Sequence, residues 1–482
     1  MRRMTYFVMA LALVLGLSQC KKEQPSNQND SEGVHITLNV GDDNSKVVVT
    51  PGFTNSETGE TYAKVEFEEG DVIYVGNNSA YCGYLEYHSS SHRFEGNVEP
   101  TSEADYLHFY FMGNQGTTAE PTSALSITDQ TSKYPVISYA HSTQKYRSGV
   151  TAYSAKLQNY CSIVKFTTTN IDADITITGM NNIVAVNFAA NNAADGTGIN
   201  NNPYTVGKDG DGEITLHIVS NTERWAILLP QSQVTTAMAF ASGYATKSAF
   251  TVPEVTANMY HNTGVAVNLV AGNFFRVSAS KVVQFSSGNL QYKSGSGYRF
   301  APNQYDYKGA WNTSDYVDLF GWGKWGAGQD PLTLNNHSWT NDFQGTLDGY
   351  SDWYTLTSGE WDYLFNHNTY GQATVNNIHG VIILPLGSSL SISTGHSGWN
   401  DNTINASTWK DTYQAAGAVF LPAAGYREEG TTDCYAGENE GNYWSKSGET
   451  GSSHDLEFRA TGGAYVRKDI MSSYGFSVRL VR

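Results

Sequence analysis

The chain contains few cysteines and no cluster of basic residues. Four of its 482 residues are Cys, and the three beyond residue 20 are widely spaced, which argues against a disulfide framework. Cys82 and Cys161 are expected as small core residues, although a bond between them remains open. Lys and Arg number 29 against 46 Asp and Glu, for a formal net charge of −17. Because phosphate contacts need clustered Lys and Arg, this composition argues against nucleic acid as a partner.

Long hydrophobic runs are absent beyond residue 20. The apolar run from Tyr6 to Leu17 follows Met1-Arg2-Arg3 and is too short to span a membrane. A basic start, an apolar core and a closing Cys20 are typical of a lipoprotein signal peptide over residues 1–19, rather than of a buried helix that ends in a chance Cys. Cleavage would leave Cys20 as a diacylated N-terminus, and two acyl chains attach a protein lastingly to a membrane.

Residues 20–33 contain almost no apolar side chain and are predicted to be a flexible tether. The remaining chain is then expected outside the cytoplasm, anchored by lipid to the outer membrane and exposed at the cell surface.

Helical periodicity is scarce in the first half of the chain. From about residue 34 to 270 apolar and polar residues alternate, as in Ile36-Thr37-Leu38-Asn39-Val40, between turns rich in Gly, Asn, Asp and Ser. Alternation places one face of a strand on a core and the other in water. The pattern predicts a mostly β chain, with antiparallel β-sandwiches over residues 34–150 and 155–270.

Tryptophan is rare before residue 300, where only Trp225 occurs, whereas nine follow. This shift predicts a separate α+β domain over residues 274–482. Thr357-Ser358-Gly359-Glu360 predicts a capping box, and a second helix is expected from Ser407 to a stop at Gly417. On the first helix, one face should carry Trp361, Leu364 and Phe365.

Six segments of the first half occur in an order that is known from one protein family: Phe67–Val75, His92–Gly96, Tyr106–Tyr110, Thr128–Thr131, Ile163–Phe166 and Trp225–Gln231. Together with the Cys20 signal, this half resembles fimbrillin-like proteins, the pilins and pilus-associated lipoproteins of type V fimbriae. The resemblance implies two transthyretin-like antiparallel β-sandwiches and a role in fimbriae or adhesion.

Maturation in that family commonly includes a cut after an Arg in an early strand, which frees a groove for a donor strand. Here no Arg occurs between Arg3 and Arg93, and Lys46 is the nearest basic candidate for cleavage. The departure disfavours a polymerising stalk subunit. Together with a further C-terminal domain, it favours an accessory or tip position in a pilus.

A second set of segments lies in the C-terminal part: Val283–Tyr292, Asp318–Gly323, Gly359–Leu364, Gly380–Pro385, Ala418–Arg427, Tyr443–Ser445 and Gly475–Val481. It resembles a module of bacterial surface lipoproteins with a C-type-lectin-like fold, related to formylglycine-generating enzymes. That chemistry needs paired reactive cysteines, and this part has only Cys434. The sequence also lacks an HExxH motif. We therefore expect no enzyme, no cofactor and no metal.

Candidate ligand-binding residues are aromatic. Trp325 and Trp339 lie in a Gly- and Asn-rich stretch and are the candidates for stacking on a sugar ring, although packing as core is favoured for the Trp-rich set as a whole. Trp399-Asn400-Asp401 is similar to the Trp-Asn-Asp calcium motif of sugar-binding lectins; a loop turn beside a packed Trp is the favoured alternative. Likewise, Asp209-Gly210-Asp211-Gly212-Glu213 is either a fragment of a calcium loop or, preferably, a hairpin turn.

These features predict a lipid-anchored adhesin or a pilus accessory or tip subunit that binds a glycan or a surface protein, with other pilus subunits as partners. The alternative is a surface lipoprotein that captures glycan for a nutrient-uptake system. A glycoside hydrolase is a third hypothesis, because two carboxylates need only meet in space.

Overall fold

The protein is mostly β-structure, with 48% of residues in strands and 7% in helices, as the alternating pattern predicts. Cys20 and Lys46 lie outside the described residues. Within the described part, no helix has both the length and the apolar character to cross a membrane. The computed structural model describes residues 33–40, 50–54, 61–64, 67–113, 116–131, 135–191, 202–216, 218–220, 222–257, 259–308, 314–325, 331, 333–334, 339, 342–431, 433–449 and 452–482.

The first strands form one large sheet that folds back on itself. The strands of this part of the chain are β1 (Val34–Val40), β2 (Thr50–Thr54), β3 (Thr61–Lys64), β4 (Val72–Asn77), β5 (Ala80–His88), β6 (Arg93–Val98), β7 (Tyr106–Met112), β8 (Leu125–Ser126), β9 (Asp129–Gln130), β10 (Ile137–Lys145), β11 (Ala152–Ala155) and β12 (Gln158–Asn159). The sheet order is β11-β1-β6-β5-β4-β7-β10-β12, and a further pair, Ser142 with Ala155, joins β10 to β11. β2 and β3 pair separately.

The core enclosed by this sheet follows from the alternation in β1, since Ile36 and Leu38 point inward and are fully buried. Cys82 and Cys161 lie in the same cluster as buried free thiols, so the pair is not bonded. Burial raises the pKa of both thiols to about 12. The cysteines are core residues here, as the spacing predicts.

The middle of the chain forms several smaller sheets. Its strands are β13 (Ser162–Thr168), β14 (Ile175–Ile177), β15 (Ile183–Val186), β16 (Tyr204–Gly207), β17 (Ile214–Leu216), β18 (Ile218–Ser220), β19 (Glu223–Leu228), β20 (Val234–Ala237), β21 (Ala239–Ala241), β22 (Tyr244–Ala245), β23 (Phe250–Val252), β24 (Tyr260–Val267) and β25 (Val270–Ala271). The sheet orders are β18-β19-β13-β24, β25-β22-β21-β14-β17-β9, β16-β15-β8 and β20-β23.

The first and middle parts share structure across residue 150. β8 pairs with β15 and β9 pairs with β17, so residues 125–130 belong to sheets of the middle part. The buried side chain of Gln130 strengthens this link, because its amide donates to the carbonyl of Ile227 (2.9 Å) and accepts from the N–H of Ile227 (2.7 Å). Neighbouring cores are therefore joined by hydrogen bonds as well as by the chain.

The C-terminal part has short strands and long connections. Its strands are β26 (Phe275–Ser278), β27 (Lys281–Val283), β28 (Leu290–Lys293), β29 (Gly297–Phe300), β30 (Phe320–Gly321), β31 (Tyr354–Thr355), β32 (Tyr370–Val375), β33 (Ile378–Ile383), β34 (Thr403–Ile404), β35 (Val419–Pro422), β36 (Tyr426–Arg427), β37 (Cys434–Tyr435), β38 (Glu440–Glu449), β39 (Ser452–Arg459), β40 (Ala464–Ile470), β41 (Gly475–Phe476) and β42 (Leu480–Val481). Its larger sheets are β30-β41-β36-β37, β34-β32-β33-β35 and β38-β39-β40; β26–β27, β28–β29 and β31–β42 form pairs.

The main helix of this part, α1 (Ser358–His367), begins where its capping box predicts. The Thr357 hydroxyl accepts from the N–H of Glu360, and the Glu360 carboxylate accepts from the N–H of Thr357. The three residues predicted on one helix face, Trp361, Leu364 and Phe365, are the buried ones. Both the start and the buried face of α1 are thus confirmed.

The second predicted helix differs from expectation at its start. Helix α2 (Ala406–Thr408) begins after Asn405, whose side chain accepts from the N–H of Thr408 (2.8 Å), and continues as a π-helical turn over Trp409–Gln414. Asn405 therefore caps the helix and the Ser407 start is corrected. The helical turn ends at Gln414, three residues before the predicted stop at Gly417, which has φ +88° in the turn that follows. Two 3₁₀ turns lie at Phe188–Asn191 and Trp399–Asp401.

An ion cluster joins the middle and C-terminal parts. The sequence Asp209-Gly210-Asp211-Gly212-Glu213 forms the predicted turn, with positive φ at both glycines. The carboxylates of Asp211 and Glu213 accept from the two Nη atoms of Arg276, at 2.8 and 2.7 Å. The Tyr363 hydroxyl contacts both Arg276 Nη2 (2.9 Å) and Asp211 (2.8 Å). These two carboxylates bind the guanidinium of Arg276 rather than forming a calcium loop.

Candidate functional site

Trp325 is a core residue and not a surface platform. Its side chain is 1% exposed, its indole N–H donates to the Thr355 hydroxyl (3.1 Å), and its ring packs edge-on against Trp339 at 5.2 Å. Trp339 is half-buried and also packs on Trp322, at 5.9 Å. The expectation that Trp325 stacks on a sugar is therefore corrected, because its ring fills the core and has no free face.

Trp399, Asn400 and Asp401 form a loop turn. The Trp399 ring is buried and stacks on His379 at 5.4 Å. Asp401 accepts from the N–H (3.0 Å) and the hydroxyl (2.6 Å) of Ser397, and these bonds lower the pKa of its carboxyl. In the part of the chain that the structure describes, no group of three or more His, Cys, Asp and Glu side chains is arranged to hold a metal. The geometry corresponds to the turn beside a packed Trp.

A different aromatic residue, Tyr350, is exposed beside a pocket. Leu347 and Tyr350 exchange backbone hydrogen bonds of 3.0 Å across a tight turn, in which Asp348 and Gly349 have φ of +50° and +81°. The Asp-Gly pair tolerates this left-handed conformation. Tyr350 lies at the end of this turn, and its side chain is 43% exposed.

Arg482 lies over one face of the Tyr350 ring. Arg482 and Gln284 exchange two backbone hydrogen bonds, 2.8 and 3.0 Å long, which fix Arg482 beside the turn. Its guanidinium carbon lies 3.4 Å from the centroid of the Tyr350 ring, a cation–π contact. Trp353 contacts the edge of the same ring at 6.1 Å and an interplanar angle of 89°. The ring is thus held in place while remaining accessible.

We name this cavity the Tyr350 pocket; its volume is about 280 Å³. It is lined by Asn273, Phe275, Gln284, Phe285, Ser286, Ser287, Gln304, Asp348, Tyr350, Trp353, Gln414, Gly417, Ala418, Val419 and Arg482. Phe285 and Trp353 supply apolar surface, and most of the other side chains are uncharged and polar. Such a lining suits a hydroxyl-rich ligand with an apolar face.

Some polar side chains of the pocket already have hydrogen-bond partners in the protein, and others are available to a ligand. The Gln304 amide is already hydrogen-bonded, because it donates to the Ala418 carbonyl (3.3 Å) and accepts from the Phe420 N–H (2.7 Å). The side-chain amides of Asn273, Gln284 and Gln414 have no hydrogen-bond partner among the described residues, and each can both donate and accept. Asp348 accepts from the Ser287 hydroxyl (3.0 Å) and keeps further acceptor capacity. The charges of Asp348 and Arg482 offset each other, so the pocket is formally neutral.

The clearest buried carboxylate pair, Asp455 and Glu457 on β39, is bound to a cation. Both side chains are fully buried, and Arg467 forms ion pairs with each of them. Burial raises the pKa of Asp455 to about 6, while Arg467 opposes that shift. Arg459 pairs with Glu457 as well, at 2.9 Å. A hydrolase would need one carboxylate free to donate or attack, and this pair is occupied by arginines.

Cys434 does not have the character of a nucleophile. Its thiol donates to the Ala424 carbonyl (3.2 Å), and burial raises the pKa of the thiol to about 11. A reactive cysteine needs a lowered pKa and access to substrate. The remaining described cysteines, Cys82 and Cys161, lie in the core of the first sheet.

Sequence reasoning missed the Tyr350 pocket. The Asp348-Gly349 pair before a tyrosine was a usable signal, since it marks a tight turn with an aromatic residue at its end. Asn273 and Gln284 flank the hairpin of β26 and β27, whereas Gln414 is distant in sequence and meets them only in the folded chain.

Comparisons with known proteins add the following. No protein-family model matches the sequence, and no curated protein matches it. A fimbrial protein from Bacteroides ovatus has a similar structure, with 10% identity, a TM-score of 0.25, and coverage of 94% of this chain and 99% of that one. For a candidate cell adhesion protein from Bacteroides uniformis the identity is 12%, the TM-score 0.31 and the coverage 52% and 97%. The fimbrial anchor protein Mfa2 from Porphyromonas gingivalis is 12% identical, with a TM-score of 0.24 and coverage of 44% of this chain and 78% of that one. At TM-scores below 0.5 these similarities do not establish a function.

Proposed function

We propose that this chain is a non-enzymatic cell-surface adhesin, or an accessory or tip subunit of a pilus, that binds a glycan through the Tyr350 pocket. The observation that carries the proposal is an exposed tyrosine ring, contacted on one face by Arg482, beside three side-chain amides that have no partner among the described residues. A sugar ring can stack its apolar face on the Tyr350 ring, and its hydroxyls can form hydrogen bonds with the side-chain amides.

The architecture that goes with this proposal is two transthyretin-like β-sandwiches, over residues 34–150 and 155–270, and a C-type-lectin-like domain over residues 274–482. The high strand content and the helix α1 packed among short strands support it. Sequence segments that resemble fimbrillin-like proteins and lectin-like lipoprotein modules support the same division.

Attachment and assembly complete the proposal. Lipid on Cys20 would anchor the chain to the outer membrane, and residues 20–33 would hold the folded parts away from the bilayer. Cleavage after Lys46 would release β1, which pairs with β11 on one side and β6 on the other. The lipid on Cys20 would leave with β1, so anchoring through this lipid applies to the uncleaved chain. Pilus subunits would then be partners through the strand edges that β1 leaves, since unpaired edges are templates for added strands.

The test is a glycan-binding screen of full-length protein purified in detergent, alongside Tyr350→Ala. Loss of one stacking contact should weaken binding about tenfold, because an aromatic contact contributes roughly 0.5–1.5 kcal/mol beyond the area that it buries. Tyr435→Ala removes another exposed tyrosine, outside the pocket, and should leave binding unchanged. Failure to bind any glycan, or equal binding by Tyr350→Ala, would contradict the proposed site.

The nutrient-capture alternative uses the same pocket but predicts a different phenotype. Deleting the gene from the source bacterium should reduce attachment to glycan-coated surfaces if the protein is an adhesin. If the protein serves uptake, deletion should instead slow growth on the bound glycan and leave attachment intact.

A further inference from the structure

A second polar pocket lies in the C-terminal part, where four segments converge. The hairpin of β28 and β29 places Gln291 directly opposite Arg299. Tyr292 exchanges two hydrogen bonds of 2.9 Å with Val317, which brings the loop of Tyr316 against the hairpin. The cavity has a volume of about 430 Å³, within the range of ligand pockets. We name it the Arg299 pocket; it is lined by Gln291, Arg299, Pro302, Tyr305, Asp306, Tyr307, Lys308, Asn376 and Ile378.

The guanidinium of Arg299 is held at two points. Its Nε donates to Oε1 of Gln291 (3.0 Å), a residue that is itself buried. Its central carbon lies 3.5 Å from the centroid of the Tyr316 ring, so the guanidinium rests on an aromatic surface. Both contacts leave Nη1 and Nη2 available, and neither atom has a hydrogen bond or ion pair among the described residues. A cation fixed in this way loses little conformational entropy when it binds an anion.

The carboxylates near the pocket have other partners. Asp315 forms an ion pair with the ammonium of Lys308 (2.9 Å), and this bond lowers the pKa of the Asp315 carboxyl. Asp306 accepts from the backbone N–H of Asn303 (3.0 Å) and from its side-chain amide (2.9 Å). Lys293 adds a further positive charge, 5.9 Å from the Tyr316 ring. The chain has a net charge of −17 and many carboxylates, yet Arg299 pairs with none of those in the described structure. Its charge is therefore available to an anionic ligand.

We propose that the Arg299 pocket binds the carboxylate of an acidic sugar, with the two Nη atoms donating to its two oxygens. A planar carboxylate matches the guanidinium fork, and such two-point pairs are stronger than neutral hydrogen bonds. Around that anchor, the Tyr305 hydroxyl and the Asn376 amide offer hydrogen bonds to sugar hydroxyls. The Tyr307 hydroxyl is already bonded to Glu438 (3.2 Å). The inference rests on the proposed glycan binding and adds a class of ligand, uronate-like saccharides, to it.

The two pockets adjoin in the sequence, since Gln304 lines the Tyr350 pocket and the next residue, Tyr305, lines the Arg299 pocket. They differ in side-chain charge: Asp348 and Arg482 offset each other in the Tyr350 pocket, whereas Arg299 and Lys308 outnumber Asp306 in the lining of the Arg299 pocket. The two sites therefore make separable predictions for neutral and acidic saccharides.

The experiment compares full-length wild type, Arg299→Gln and Arg299→Lys for binding of short oligogalacturonides, neutral galacto-oligosaccharides of the same length and their sulfated forms. Loss of charge-assisted hydrogen bonds should weaken oligogalacturonide binding by roughly 10- to 100-fold in Arg299→Gln. Arg299→Lys retains charge without the fork and should give an intermediate loss. Binding to wild type should weaken as salt is added. Weaker binding of the sulfated forms distinguishes a carboxylate site from a general anion site.

Arg93→Gln is the matched control, because it removes the same charge from an exposed position on β6. Equal loss in Arg93→Gln would show that net charge alone governs binding and would overturn the inference. So would unchanged oligogalacturonide binding in Arg299→Gln, or equal affinity for neutral and acidic oligomers. If neutral glycans still bind and depend on Tyr350, the proposed function stands while the acidic subsite falls. If no glycan binds, both fall.

Discussion

Replacing Arg276 by Met should uncouple the C-terminal part of the chain from the middle part. Arg276 lies on β26 with 3% of its side chain exposed, and it binds Asp211 and Glu213, which precede β17. Its guanidinium carbon also lies 5.6 Å from the centroid of Phe240 on β21, in the same sheet as β17. Methionine fills a similar volume but leaves both carboxylates without a cation at this position.

The size of the effect follows from how well water reaches each carboxylate. Asp211 is 16% exposed and remains largely desolvated, although Tyr363 still donates to it and His367 lies 3.4 Å away. Glu213 is 39% exposed and regains solvent readily. Removing one partner of a buried pair costs about 3–5 kcal/mol, whereas solvated pairs contribute below about 1 kcal/mol. We expect about 3 kcal/mol for Arg276→Met and less than about 1 kcal/mol for Glu213→Gln.

Calorimetric unfolding of the full-length protein measures the effect. About 3 kcal/mol corresponds to a fall of roughly 6–12 °C in the transition of a unit of about 200 residues. That transition should belong to the C-terminal part, and proteolysis near residues 271–274 should accelerate. Arg93→Met serves as an exposed control and should change little. A fall below about 2 °C for Arg276→Met, or an equal fall for Glu213→Gln, would refute this reasoning.

Two further predictions concern stability. Burial raises the pKa of the Asp318 carboxyl to about 7. The folded state therefore keeps a proton that the unfolded state releases near pH 4. As a result, the folded state loses stability as the pH rises from about 4 through 7. Asp318→Asn should escape that loss, gaining about 2–4 kcal/mol on wild type between pH 4 and pH 8 in urea titrations; parallel pH profiles would contradict this. Asn405→Ala should cost about 1 kcal/mol as the loss of a helix cap, whereas Ser407→Ala should cost little, and the reverse ranking in urea titrations would restore Ser407 as the start of the helix.

Local signals predicted the local structure well. The capping box at Thr357 and Glu360 fixes the start of α1 within four residues, and the two glycines at Gly210 and Gly212 fix a turn. Neither feature needs a distant partner to form. The alternation around Ile36 likewise predicts a strand with one buried face, because the period of side chains along a strand is set by the backbone itself.

Features that depend on distant residues could not be predicted from sequence. The Gly- and Asn-rich surroundings of Trp325 suggested a surface loop, but Thr355 and Trp339 enclose the ring in the fold. Nothing local to Asp211 indicates that Arg276, 65 residues further on, is its partner. The pairing of β8 and β9 with strands of the middle part is a similar long-range choice.

The position of β1 has a mechanical consequence. Residues Val34–Leu38 bond to β6 and Thr37–Val40 bond to β11, so the first described strand is an interior strand of its sheet. A force that pulls residue 33 along the strand axis must shear two ladders of hydrogen bonds together, because no free edge allows the bonds to open one at a time. Under the proposed anchoring through Cys20, tension on the anchor would therefore act on a strand that is bonded on both sides.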